Sequence, residues 1–113
     1  MALLVCTGSR SSTDWTNKVA YLGQSYYSCL VDKCWRSATF PWLSKIASLD
    51  YGGKLTIVPE TSAELVAELD AFDPAGTMEG TKTLRRVCEE TAASGKTLWI
   101  SGDMYPVLTR EGR

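Results

Sequence analysis

The stretch that decides the fold reads KLTIVPETSAELVAELDAFDPAG over residues 54–76. It opens with Leu55–Val58, an aliphatic and β-branched run closed by Pro59, and that pattern predicts a strand. Thr61–Glu64 then reads as a capping box, in which the Thr and Glu side chains each satisfy a free backbone donor at the start of a helix. One apolar stripe follows at helical spacing, made of Leu65, Val66, Leu69 and Phe72. A strand leading into an amphipathic helix predicts a layered domain.

Downstream of this stretch the same alternation continues. Asp73–Gly76 ends the first helix, and a second is predicted from about Thr81 to Ser94, with Gly95 closing it in the left-handed conformation. Thr97–Ile100 predicts a further strand, and Ser101–Asp103 predicts a turn that leads away from it. The aspartate of this turn is either a ligand at the carboxyl end of a strand or a turn-forming side chain, and the turn role is favoured.

Upstream, Leu3–Cys6 is an apolar run that predicts a buried strand. The segment 14–22 fits two structures. Val19–Leu22 is compatible with a strand, but it is also compatible with the end of a helix capped at Asp14, and the strand is slightly favoured.

Two helical segments are predicted between the second and third strands. Ser25 is a suitable N-cap for a helix that continues to Cys34. Pro41 is expected at the first position of a short helical turn. Two apolar residues of that turn are expected to face the core, Leu43 and Ile46.

Composition limits the class of protein. With 113 residues, 12.4 kDa, 44% hydrophobic and 22% charged residues, the chain fits one globular domain over 1–113, and disordered or low-complexity classes are excluded. The polar end, 109–113, is expected to be frayed. Interleaved strand and helix patterns predict an α/β or α+β fold, a single layered domain with helices packed on a small sheet of about three to four strands.

The absence of histidine excludes several kinds of site at once. Ser-His-Asp and Cys-His nucleophile systems, histidine metal sites and histidine pH switches all need that side chain. No other nucleophile has a visible base. The chain is therefore not expected to be an enzyme, and no catalytic residue, cofactor or metal is predicted.

Charge and hydropathy bear on the compartment and the partners. The formal net charge is −1 and the pI about 5.4, so no general attraction to nucleic acid or anionic lipid is expected. No apolar run approaches the roughly 18 residues of a membrane-spanning helix. The opening MALLVC lacks the basic region of a signal peptide. A cytoplasmic protein is expected, with neither nucleic acid nor membrane as partner, and its oligomeric state is left open.

The four cysteines are expected to be reduced thiols, at least three of them buried, without a metal. On a helix, Cys29 and Cys34 would lie about 140° apart, which does not form a shared metal face. No CxxC pair is present. The other two cysteines are Cys6 and Cys88.

Gly8-Ser9-Arg10 follows the first predicted strand and has two interpretations. A glycine turn between a strand and a helix aims backbone N–H groups at a phosphate, and Arg10 adds charge. This opening resembles a Rossmann-like family of nucleotide-binding bacterial proteins, which implies a nucleotide-sensing domain that uses Gly8, Ser9 and Arg10. Gly52-Gly53 precedes a strand instead of following one, unlike the second phosphate loop of that family, so a solvated turn is favoured.

Carboxylates cluster between Glu60 and Glu90. That stretch holds eight carboxylates and three basic residues, a net charge of −5, whereas residues 1–59 have a net charge of +3. The simpler interpretation is two solvated helix faces, and the sharper one is an acidic docking surface for a basic partner. The candidate partner-binding residues are Glu64, Glu68, Asp70, Asp73, Glu79 and Glu89.

The four tryptophans divide into two groups. Trp99 is expected in the core, while Trp15, Trp35 and Trp42 flank loops, and part of one is expected to be exposed as a contact anchor. Basic residues do not interleave with these rings along the sequence, so the combination needed for single-stranded nucleic acid is not predicted.

Four short motifs recur together: an FPxL-type segment at Phe40–Leu43, an aspartate-tyrosine-glycine turn at Asp50–Gly53, an ELxxEL helix at Glu64–Leu69, and a strand ending in Ser101-Gly102-Asp103. Over residues 24–104 the chain resembles a group of small bacterial proteins of similar length, in which toxin-neutralising immunity proteins are suspected. The resemblance implies a cytoplasmic bacterial protein and no catalytic residues. A non-enzymatic, immunity-type protein that neutralises a basic toxin is therefore the leading hypothesis, and the nucleotide-sensing domain is the alternative.

Overall fold

The computed structural model describes residues 2–8, 18–50 and 52–103. Within these ranges the chain forms four strands and four helices. In chain order they are β1 Ala2–Gly8, β2 Lys18–Leu22, α1 Gln24–Cys34, α2 Pro41–Ala47, β3 Lys54–Ile57, α3 Pro59–Phe72, α4 Glu79–Ala93 and β4 Thr97–Asp103. The predicted fold class, helices packed on a small sheet, is confirmed. The tail at 109–113 lies outside the described residues.

The strands pair in the order β2-β1-β4-β3, and every pairing is antiparallel. In the longest pairing, β1 runs along the whole of β4, from Ala2 opposite Asp103 to Gly8 opposite Thr97. The first and last strands of the described residues therefore lie at the centre of the sheet, and β2 and β3 lie beside them.

One hydrophobic core lies between the sheet and the helices. Successive side chains of a strand point to opposite faces, so alternate residues of the central strands enter this core, Leu3 and Val5 from β1 and Leu98 and Ile100 from β4. The helices contribute fully buried side chains, including Leu30, Leu43, Ile46, Leu65, Leu69 and Leu84. The inward positions predicted for α2 are confirmed. Each such leucine contributes about 1.5–3 kcal/mol through burial.

The opposite face of the sheet is also buried at its centre. Cys6 and Trp99 are register partners on β1 and β4, and they are 1% and 8% exposed. Neither belongs to the core cluster on the first face. Burial on both faces explains why β1 reads as a continuous apolar run instead of an alternating one. The prediction that Trp99 is buried is confirmed.

The turn predicted at Ser101–Asp103 is wrong, because β4 continues through Asp103 and pairs along its full length with β1. The strand is also held from its other side. The Gly52 N–H donates to the Gly102 carbonyl at 2.9 Å, and the Gly102 N–H donates to the Gly53 carbonyl at 3.1 Å. Both sets of partners are distant in sequence, so the local turn signal could not reveal them.

The capping box predicted at Thr61–Glu64 is wrong as well. Helix α3 begins at Pro59, where a missing N–H costs nothing, and Val58 is its N-cap. The Thr61 hydroxyl donates to the Val58 carbonyl at 3.1 Å instead of accepting a bond from the helix start. Likewise, α1 is capped by Gly23 and not by Ser25.

Other local predictions are confirmed. The favoured strand at 19–22 is present as β2, while residues 14–17 lie outside the described ranges. Gly95 closes α4 at φ 69°. All four cysteines are free thiols, three of them buried, and Cys29 is half-buried.

Helix α1 packs on the start of α4 through a glycine. A Cβ added at Gly80 would lie 2.6 Å from the ring carbons Cδ1 and Cδ2 of Tyr26, so no larger residue fits there without displacing that ring. The Tyr26 hydroxyl forms a 2.8 Å hydrogen bond with the hydroxyl of Thr81, the residue that follows Gly80. Burial raises the pKa of Tyr26 to about 12, so the hydroxyl stays protonated.

Candidate functional site

Three charged side chains form one cluster across α3 and α4. The Arg85 Nε donates to Asp70 at 2.6 Å, and its Nη1 donates to Glu89 at 2.8 Å. The side chains of Asp70 and Glu89 remain 52% and 51% exposed. The hydrogen bond from Arg85 holds the pKa of Asp70 below its usual value. One guanidinium therefore holds a carboxylate from each helix in place while both stay accessible.

Glu68 is bonded to the backbone of a neighbouring helix. Its carboxylate accepts from the Trp42 N–H at 2.9 and 3.0 Å and from the Leu43 N–H at 3.0 Å. These are free donors in the first turn of α2, where a negative charge is also favoured by the helix dipole. Glu68 thus caps α2 although it is 26 residues away from Trp42 in sequence. Its carboxylate has a structural role.

Asp73 organises the loop between α3 and α4. Its residue is buried, and its carboxylate accepts from the Met78 N–H at 2.8 Å and from the N–H and hydroxyl of Thr77 at 3.1 and 3.2 Å. The bond from Met78, followed by those from Thr77, lowers the pKa of Asp73. Because its carboxylate oxygens already accept these hydrogen bonds, Asp73 has little capacity left to bind a partner.

The remaining two candidates project outward. Glu64 is exposed, and the Trp42 Nε1 approaches its Oε1 at 3.5 Å. Glu79 is exposed beside Lys82, 3.9 Å away. The structure therefore separates the six predicted carboxylates by role. We use "acidic surface" for the four that stay accessible, of which Asp70 and Glu89 lie together on Arg85, Glu64 lies on the α2 side of α3, and Glu79 lies at the start of α4.

The structure also shows two cation–aromatic pairs that the sequence reading missed. The guanidinium of Arg36 lies 4.4 Å from the centroid of the Trp35 ring, and the Lys45 ammonium lies 4.3 Å from that of Trp42. Trp35 is 52% exposed, which confirms that a tryptophan beside a loop is accessible. The available signals were the adjacent Trp-Arg pair and the helical spacing between Trp42 and Lys45.

The predicted phosphate turn is described only at its first residue. Gly8 ends β1 opposite Thr97, whereas Ser9 and Arg10 lie outside the described residues. A surface groove of about 260 Å³ lies near the end of this strand, and its lining includes Thr7, Arg86 and Lys96. Lys96 favours an anion, but Arg86 is paired with Glu90, which also lines the groove, and the groove meets the carboxyl end of α4, whose dipole opposes an anion.

Two of the thiols, those of Cys34 and Cys88, are poorly suited to nucleophilic chemistry at neutral pH. Burial, and secondarily the neighbouring Cys29, raises the pKa of Cys34 to about 11. Burial likewise raises the pKa of Cys88, whose Sγ lies 3.0 Å from the Ser62 hydroxyl. Because the thiolate is the reactive form, both side chains are inert in this fold.

Two other kinds of site are absent from the described part of the chain. Residues 2–8, 18–50 and 52–103 contain no cluster of three or more cysteine or carboxylate side chains placed to hold a metal ion. In the same ranges, no helix has the length and apolar character needed to cross a membrane.

Comparison of the whole chain with known proteins did not identify a relative. No family model, no curated protein and no solved structure matches this chain.

Proposed function

We propose that this chain is a non-enzymatic protein-binding domain that acts in the bacterial cytoplasm, as an immunity-type protein, by docking a basic partner such as a toxin domain on the acidic surface. The Asp70–Arg85–Glu89 cluster is the observation that carries this proposal. Its two carboxylates are already ordered by Arg85, so less side-chain entropy is lost on binding. They also stay accessible enough to attract a basic partner over a distance.

Two of the six carboxylates predicted to bind a partner are left out of the proposed docking surface. Glu68 and Asp73 are engaged in bonds that hold α2 and the α3–α4 loop, so changing either would disturb the fold before it reported on binding. The proposal therefore rests on Glu64, Asp70, Glu79 and Glu89.

The test uses the product of the gene adjacent to that of this chain as the binding probe. We expect a complex, relief of any growth inhibition the probe causes, and association that weakens as salt rises. Asp70→Asn combined with Glu89→Gln keeps side-chain shape and should weaken association by roughly tenfold. Asp32→Asn, an exposed carboxylate on α1, is the matched control. Equal binding by the double variant and the control would contradict the proposal.

A nucleotide-sensing domain is the second candidate, favoured by the groove near Gly8. Lys96 lines that groove beside the end of β1 and supplies positive charge, while Arg86, which also lines it, is paired with Glu90 at 3.2 Å. A thermal-shift series with nucleoside triphosphates would detect such binding, and Lys96→Ala should abolish the shift. Identical melting temperatures with and without nucleotide would exclude it.

A further inference from the structure

The loop after α1 contains a residue in a conformation normally reserved for glycine. Trp35 has φ −60° and ψ 124°, Arg36 has φ 57°, and the Ser37 N–H donates to the Cys34 carbonyl at 2.9 Å. These values define a type II turn whose third position, occupied here by Arg36, favours glycine. Among the described residues, Arg36 is the one non-glycine residue with positive φ.

The same turn exposes a large aromatic ring. Trp35 is the most exposed large hydrophobic residue that the structure describes, at 52%. A strained arginine lowers the stability of the folded chain, and the exposed part of the indole contributes nothing to it. Fold stability therefore does not explain why these two side chains occupy the turn, and strain of this kind is typical of positions retained for contact with a ligand or partner.

The Trp35–Arg36 pair offers hydrogen-bond donors that suit an anionic group. The guanidinium carbon of Arg36 lies over the Trp35 ring, 4.4 Å from the centroid, and its N–H donors form no hydrogen bond with a described residue. Those donors match the two oxygens of a carboxylate. Lys33 and Lys45 are exposed nearby in sequence, as is one carboxylate, Asp32, and none of the three cations, Arg36 included, forms an ion pair with a described residue.

We infer that the Trp35–Arg36 turn is a docking site for a protein segment that presents a carboxylate next to an apolar side chain. Arg36 would bind the carboxylate, and the free part of the Trp35 ring would cover the apolar group. Tryptophan and arginine are the residue types most enriched at energetic centres of protein interfaces. A nucleic-acid tract fits less well, because it needs a continuous basic groove and the chain has a net charge of −1.

This site does not depend on the acidic surface of α3 and α4, which would take a partner of the opposite charge. A partner that engages both surfaces would need basic and acidic patches. Each surface can therefore be tested with its own variants.

The experiment selects a random peptide-display library on the immobilised protein, followed by titration of the winning peptides. We expect an acidic and apolar consensus whose affinity falls about tenfold with Trp35→Ala and with Arg36→Glu. Lys82→Glu is the matched control, since it reverses the charge of another exposed cation, on α4, and it should leave the affinity unchanged.

Three results would overturn the inference: no consensus specific to the native turn, a consensus without carboxylates, or tighter binding of a single-stranded oligonucleotide to the same turn. Asp70→Asn with Glu89→Gln should leave peptide affinity unaltered, so loss of the acidic-surface function and loss of this site are distinguishable. Unaltered circular dichroism of each variant confirms that it is folded.

Discussion

Two regions of this protein use charge in opposite ways. In α3, α4 and their loop, carboxylates are numerous, but backbone N–H groups engage Glu68 and Asp73 within the fold, and Arg85 leaves only Asp70 and Glu89 held in place and still accessible. In α1, α2 and their loop, charges are few, yet Arg36 and Lys45 stack on tryptophans and form no ion pair with a described residue. The number of charges in a region is therefore a poor guide to how many are available to a partner.

The difference follows from where each charge sits. Some carboxylates lie near a free backbone N–H or near the guanidinium of a neighbouring helix. Such a carboxylate is stabilised by a hydrogen bond or ion pair within the fold. An arginine in a tight turn at the surface has no such neighbour and stays available. Substitutions in each region can test whether the two regions are joined and whether their charges act in these different ways.

The largest expected effect comes from breaking the contact that joins the two regions. Gly80→Ala places a Cβ against the Tyr26 ring and should lower the free energy of unfolding by about 3 kcal/mol, since a packed aromatic ring cannot yield without moving α1. Urea denaturation measures this. Gly23→Ala is the control, because nothing lies within 4 Å of a Cβ there. Equal losses in the two variants would show that α1 and α4 are not tightly packed.

Removing the cap that α3 supplies to α2 should have the next largest effect. Glu68→Ala leaves the first N–H groups of α2 without their acceptor and should cost about 1–2 kcal/mol of unfolding free energy. Glu64→Ala, one turn earlier in the same helix, is the control and should cost less than about 0.5 kcal/mol. If the two alanine variants unfold at the same urea concentration, Glu68 is a surface charge and not a structural one.

Arg36 provides a smaller effect of opposite sign. Arg36→Gly relieves the positive φ and should leave the unfolding free energy unchanged or raise it by up to about 1 kcal/mol, although it removes a side-chain contact. Arg36→Ala also removes the contact but keeps the strain, so it should be less stable than the glycine variant. The difference in melting temperature between the glycine and alanine variants measures the cost of the strain. A glycine variant less stable than the alanine variant would show that the turn is not strained.

The smallest effect concerns the titration of Asp70. Its folded pKa lies below the usual 3.8, so the stabilisation from its bond to Arg85 is present above the unfolded pKa and is lost as pH falls through the folded one. Arg85→Gln should return the Asp70 pKa toward 3.8 and leave that of Asp73 low, because Asp73 depends on Met78 and Thr77. Carboxyl chemical shifts followed by NMR report both groups. A parallel rise at Asp73 would mean that the two sites are coupled.

Much of the local structure could be predicted because it depends on residues close in sequence. Apolar spacing identified β1, α3 and α4, and the left-handed glycine at Gly95 follows from the need to end a helix without a Cβ clash. The candidate site was predicted less completely. Counting charges along the sequence located its carboxylates. It did not show which of them are accessible and which are bonded within the fold.

The sequence alone determined the fold class, the inward faces of the helices and the location of the carboxylates, because periodicity and charge are properties of the chain itself. Tertiary structure decided three further features. It extended β4 through Asp103 by pairing it with β1, it turned Glu68 into the cap of α2, and it set Arg36 in a glycine conformation over Trp35. The first two join groups far apart in sequence, and the third is a φ angle that no local preference of arginine would select.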